Sequence, residues 1–184
     1  MKKNILFLCT GNSCRSQMAE GFGKALRGDT YNFYSAGTKK HGLNPNAVKV
    51  MKEAGVDISS HESNTTDELP SVTMDFIFTV CSDAHENCPS FPGGKIIHIG
   101  FDDPPRLTKD MIDQEEILNI YRRVRDEIKV MVTNIEEYIK RTYITIHSDE
   151  IYKCLRIPTI YIIGMNKFSE TFQDYLEYSF GEDE

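Results

Sequence analysis

Residues 5–8 read Ile-Leu-Phe-Leu, an unbroken apolar run that ends at Cys9 and passes through Thr10-Gly11-Asn12-Ser13-Cys14 to Arg15. A helical pattern follows at once. A continuous apolar run of this length predicts a central parallel strand covered on both faces. The strand delivers Cys9 to a short loop whose backbone N–H groups turn inward. The amide groups and dipole at the start of the next helix face the same point. Arg15 adds a planar fork able to hold two oxygens of one anion. The spacing Cys-x5-Arg therefore reads as a nucleophilic thiol beneath a cradle for a tetrahedral oxyanion. Thr10, Gly11, Asn12, Ser13, Cys14, Arg15 and Ser16 form that cradle. Gly11 and Asn12 are expected to take its left-handed backbone. The Ser16 hydroxyl is in reach of the thiolate, which is the reactive form. The Cys14 side chain is expected to pack rather than to face the anion.

Further along, elements alternate. Residues 16–26 read as a helix closing at Gly28, and residues 31–35 as a second strand. Asn44 caps a helix with Pro45 at its first position, stopping at Gly55. Residues 66–69 suggest a short helical turn. Residues 76–80 and 95–99 are two more strands. A helical stripe of Ile117, Ile120, Tyr121, Val124, Ile128, Met131 and Ile135 runs from Asp113 to about Lys140. Strands alternating with helices predict an α/β fold, a doubly wound three-layer arrangement around a four-stranded parallel sheet. Cys9, Cys81 and Asp103 each fall at or just past the end of a strand, the edge where such sheets bind ligands.

Cys81 and Cys88 define the second informative segment. In a continuous helix they would lie about 10.5 Å apart along the axis, beyond the roughly 4.4–6.8 Å a disulfide allows. If they pair, the segment must unwind, and Ser82, Asp83, Asn87 and Pro89 make that inexpensive. A zinc site using Cys81, His85, Cys88 and His98 is disfavoured by the six-residue gap. Two independent buried cysteines are the plain alternative. With Cys9 on a neighbouring strand end, a three-thiol relay is the better reading. Asp103, held beside an oxyanion, suits a general acid, and Asp102 a structural role.

These stretches together resemble the thioredoxin-coupled arsenate reductases built on the low-molecular-weight tyrosine phosphatase fold. The resemblance rests on residues 8–23 (LCTGNSCRSQMAEGFG) and on residues 34–60, with YSAG, HGLNPNAV and DISS. It extends through Cys81–Pro89, GFDDP at 100–104 and YRRVRDEI at 121–128, so it covers roughly residues 3–140. It implies that Cys9 attacks arsenate while Arg15 and the loop amides hold its oxygens and Asp103 protonates the departing hydroxide. Cys81 would then attack Cys9, Cys88 would attack Cys81, and thioredoxin would reduce the resulting Cys81–Cys88 disulfide. Relatives also hold a potassium ion near the loop. Asn12, Glu20 and Ser35 match that site, whereas Glu62 and Asn64 depart from it. No tightly bound cofactor or resident metal is expected. A phosphomonoesterase using Cys9, Arg15 and Asp103 in the same way is the rival activity, and a non-catalytic scaffold the third reading.

The net charge of −7 argues against nucleic acid as a partner. No apolar run nears the roughly 18 residues of a membrane span. Five cysteines behind a short apolar N-terminus lead us to expect reduced thiols in a cytoplasmic protein. The expected domains are residues 1–140 and an acidic extension, 141–184. The extension carries four Lys/Arg against eight Asp/Glu, over half of the net charge. Strand-like patterns at 143–146 and 160–163 and helical spacing at 168–180 suit packing on the domain or homo-oligomerisation. Cys154 reads as a bystander.

Overall fold

The computed structural model describes residues 2–82, 84 and 89–142. Cys88, Cys154 and residues 143–184 lie outside the described residues. Four strands form one sheet: β1 (Lys3–Cys9), β2 (Tyr31–Gly37), β3 (Phe76–Thr79) and β4 (Lys95–His98). All pairings are parallel, in the order β2-β1-β3-β4. The helices are α1 (Arg15–Arg27), α2 (Pro45–Glu53), α3 (Pro104–Leu107) and α4 (Gln114–Thr133).

The apolar run predicted for β1 is its buried centre: Ile5, Leu6, Phe7 and Leu8 have no solvent exposure. Phe7 stacks on Phe33 from β2 at 5.9 Å and tilts against Phe78 from β3 at 5.7 Å, binding three strands through one ring. α1 covers β1 and β2 and packs against α4, which also touches α2.

Strand order decides where the site falls. The chain winds one way from β1 to β2 and the other way from β1 to β3, so the order reverses between β1 and β3. The crevice beyond the ends of those strands is where open α/β sheets bind ligands. β1 ends at Cys9, and β3 ends two residues before Cys81.

Helix ends follow the local chemistry. The Asn44 side chain accepts from the amides of Asn46 and Ala47, with Pro45 at the first helical position. Asp113 does the same for α4 through Glu115 and Glu116. The long C-terminal stripe departs from expectation at its far end. α4 stops at Thr133, and a separate helical stretch spans 135–142. Thr133 and Asn134 side chains donate to the carbonyls of Lys129 and Val130, competing with the helix ladder. The stripe also includes buried Leu118, while Ile117 and Ile120 are only half-buried.

Replacing the α4 cap should show at the level of stability alone. Asp113→Ala is expected to cost about 1 kcal/mol, read as a lower urea midpoint at unchanged slope, with Asp113→Asn close to wild type.

Candidate active site

A loop that aims its amides at one centre must dispose of its carbonyls on the outside, where each needs a donor. Here each has one. Residues 37–44 run alongside the loop as a strap. The amide of Thr38 donates to Cys9 O, Lys39 to Thr10 O, His41 to Gly11 O and Asn44 to Ser13 O, at 2.9–3.1 Å. Ser63 Oγ adds a second bond to Gly11 O, and Gln17 Nε2 serves Asn12 O. Meanwhile the amides of Gly11, Ser13 and Cys14 meet no protein acceptor among the described residues. Gly37 lets the strap lie this close. A Cβ there would sit 2.7 Å from Asn12 N and 2.8 Å from Thr10 O.

Of the two residues expected to be left-handed, only Asn12 is, with φ 45°. Gly11 has ordinary backbone and is required for another reason. A Cβ on it would lie 2.5 Å from Nδ1 of His41.

Asn12 is the hub of the buried network. Its Nδ2 donates to Ser16 Oγ (3.0 Å) and Ser35 Oγ (2.8 Å). Its Oδ1 accepts from Gln17 Nε2 (3.0 Å) and the Asn64 amide (2.7 Å). Its own amide donates to Cys9 Sγ at 3.1 Å. Because Ser16 Oγ accepts from Asn12, its proton is left for Cys9 Sγ, 2.9 Å away. The Asn12 amide and the Ser16 hydroxyl thus converge on the sulfur.

Gln17 extends the network to His61. With Nε2 committed to carbonyl oxygens of Asn12 and Glu62, Oε1 faces His61 Nδ1 at 2.9 Å and must accept from it. Burial holds the His61 pKa below the ordinary histidine value, against the opposing pull of Glu20. The ring is therefore neutral at neutral pH, which matches a single Nδ1–H donor.

Arg15 is anchored by the segment after β4. Nη1 donates to Phe101 O at 2.9 Å, and Nη2 lies 3.2 Å from Asp103 Oδ1. Asp102 instead pairs with Arg123 at the surface, as befits a structural residue. The mouth is a small cavity of about 100 Å³ lined by Cys9, Gly11, Ser13, Cys14, Arg15, His41, Asp103 and Pro105. Thr10, Asn12 and Ser16 stand outside that lining. Cys14 belongs to the hydrophobic core, and burial pushes its thiol pKa far up, so it does not compete with Cys9.

Cys81 sits at the β1–β3 crevice. Its sulfur lies 3.4 Å from Thr10 Oγ1, one residue from Cys9, and 3.4 Å from the Ala84 amide. Cys9, Cys14 and Cys81 are free thiols. Cys88 lies outside the described residues.

The side chains matched to a potassium site are engaged with one another and with Gln17 and Lys24. Ser35 Oγ accepts from Asn12 and donates to Glu20 at 2.5 Å, and the Lys24 ammonium pairs with Glu20. Gln17 Nε2 lies among Asn12 O, Asn12 Oδ1 and Glu62 O. Among the described residues no cluster of His, Cys, Asp or Glu could hold a metal ion. No helix among them is long and apolar enough to cross a membrane.

Sequence reasoning missed His41, Gln17, His61 and Ser63 as parts of this site. His41, His61 and Ser63 carry no local signal, because each meets the site through a contact made only in the fold, whereas Gln17 lies five residues beyond Asn12.

A buried thiol beside an arginine, on the switch point of a parallel sheet, is the geometry of a candidate cysteine-dependent active site. Residues 4–145 match the low molecular weight phosphotyrosine protein phosphatase family, and the chain belongs to it. Within it, the chain is 51% identical over 132 residues to a protein of Staphylococcus epidermidis named arsenate reductase 1, covering 71% of this chain and 93% of that one. It is 50% identical over 137 residues to an arsenate reductase of Halalkalibacterium halodurans, covering 74% and 96%. A solved structure described as an arsenate reductase in oxidized state superposes with a TM-score of 0.61 at 28% identity, covering 74% of this chain and 98% of that one.

Two outcomes follow from the network. Ser16→Ala should slow alkylation of Cys9 by iodoacetamide at neutral pH by roughly tenfold, the worth of one hydrogen bond to a charged acceptor, measured by peptide mass spectrometry. His61 takes up a proton less readily in the folded than in the unfolded chain. Its contribution to stability is therefore complete above the ordinary histidine value of about 6.5 and is lost as pH falls below it. Urea midpoints should drop from pH 7 to pH 5, and less steeply for His61→Gln. Glu68, held down to about 2 by Lys40, titrates well below that window.

Proposed function

We propose that this protein reduces arsenate to arsenite through a thiol relay that thioredoxin regenerates. The observation that carries the reading is Cys81 Sγ lying against Thr10, next to the donor-ringed Cys9. A hydrolytic phosphatase has no use for a second thiol there. The names of the relatives support the same substrate.

Arsenate enters with its oxygens toward the loop amides and the Arg15 fork. Cys9 thiolate attacks arsenic, forming an S–As bond, and one oxygen leaves as water with a proton from Asp103. Asp103 is within reach because it shares Arg15 with the anion. Cys81 then attacks the Cys9 sulfur. The S–As electron pair passes to arsenic, arsenite departs, and a Cys9–Cys81 disulfide remains. Arsenic gains two electrons and the two thiols lose two. Cys88 displaces Cys9 from Cys81, and the Cys81–Cys88 disulfide takes two electrons from the dithiol of thioredoxin.

Hydrolysis of phosphomonoesters is the second reading, favoured by the family match and by the identical use of Cys9, Arg15 and Asp103. Phosphatases of this fold place aromatic residues after the Asp-Pro pair, whereas Pro105-Arg106 follow here, so little grips an aryl group.

The deciding assay couples NADPH oxidation to thioredoxin reductase, thioredoxin and the full chain, with arsenate as substrate, beside hydrolysis of p-nitrophenyl phosphate. Arsenate-dependent turnover is expected, with only slow ester hydrolysis. Cys88→Ser should give one equivalent of arsenite and stop. Repeated turnover by that variant, or faster ester hydrolysis than arsenate reduction, would overturn the reading.

A further inference from the structure

One side chain lining the mouth plays no part in that scheme. His41 faces the same cavity as Cys9, Cys14, Arg15 and Asp103. Neither of its ring nitrogens has a hydrogen-bond partner among the described residues, and the residue is exposed. Its backbone is nevertheless held in place. Its amide is bonded to Gly11 O at 3.1 Å, within a strap tied to the loop at four carbonyls. Its ring lies so close over Gly11 that an added Cβ would meet Nδ1 at 2.5 Å and Cγ at 2.8 Å. A polar ring carried at a pocket rim on a tethered backbone, with donor capacity unspent, binds at reduced entropic cost.

The charges in the cavity leave work for it. Arg15 divides its fork between Phe101 O and Asp103, while Cys9 and Asp103 are acidic groups. A dianion entering there gains from a further donor on its outer side.

We propose that His41 is a substrate-contacting residue whose imidazole donates a hydrogen bond to an outer oxygen of the bound oxyanion. The proposal rests on reading the loop as an oxyanion site. It extends that site beyond the Cys-x5-Arg segment to the strap that supports it.

The test uses the full chain and inorganic phosphate as the probe. Phosphate protection of Cys9 against iodoacetamide is followed by peptide mass spectrometry in wild type, His41→Ala and His41→Gln. The phosphate concentration for half-protection should rise roughly tenfold in the alanine variant. Glutamine, which keeps a neutral donor, should recover most of that loss. The arsenate KM should move in parallel with little change in kcat, the mark of a ground-state contact. Melting temperatures should stay level, since the strap is tied through the backbone. Unchanged half-protection in His41→Ala overturns the assignment of His41 alone. So does a loss that glutamine fails to restore and that comes with a lower melting temperature. Lack of protection in the wild type overturns the oxyanion reading and this proposal with it.

Discussion

The site depends on donors that meet the outward carbonyls of residues 9–13. Turning successive amides toward a common centre crowds like dipoles together and leaves five carbonyls facing the protein. An unmet buried carbonyl costs about 1–3 kcal/mol, so the cradle persists only because the strap at 37–44, Ser63 and Gln17 supply donors. Within the described residues no buried side-chain nitrogen or oxygen lacks a partner. The active loop is thus held from outside, and its inner face stays available for a ligand.

The same arrangement shapes the reactivity of three thiols that differ little as residues. Cys9 receives two donors, Cys81 lies against a hydroxyl and an amide, and Cys14 lies among apolar side chains. Their chemistry diverges through these neighbours. Asn12 has the widest reach among them, since its single side chain orders Ser16, Ser35, Gln17 and the Asn64 amide at once. A network with every member partnered is rigid, which suits the proposed presentation of fixed donors to a small anion.

Much of this was legible along the chain because it is local. Cys9, Arg15 and Ser16 are set by their spacing on a strand, a turn and a helix start, and Asn44 with Pro45 marks a helix entry without any tertiary information. The break at Asn134 was less legible, because the competing side-chain bonds there interrupt an apolar stripe that itself continues. Gly11 was expected to take left-handed backbone, whereas the structure needs it for close approach. A missing Cβ serves backbone freedom and close approach equally well in sequence, and only the position of His41 distinguishes them.

The sequence by itself determined the strand–loop–helix that carries Cys9 and Arg15, the parallel sheet and the strand ends that face one crevice. Hydrophobic period and motif spacing act over a few residues, and those features need nothing more. Tertiary structure decided the rest: which residues of the strap close the loop's carbonyls, that Cys81 comes to lie beside Thr10, and that His41 reaches the mouth. Each of those joins segments far apart in the chain, and only the strand order of the sheet brings them into contact.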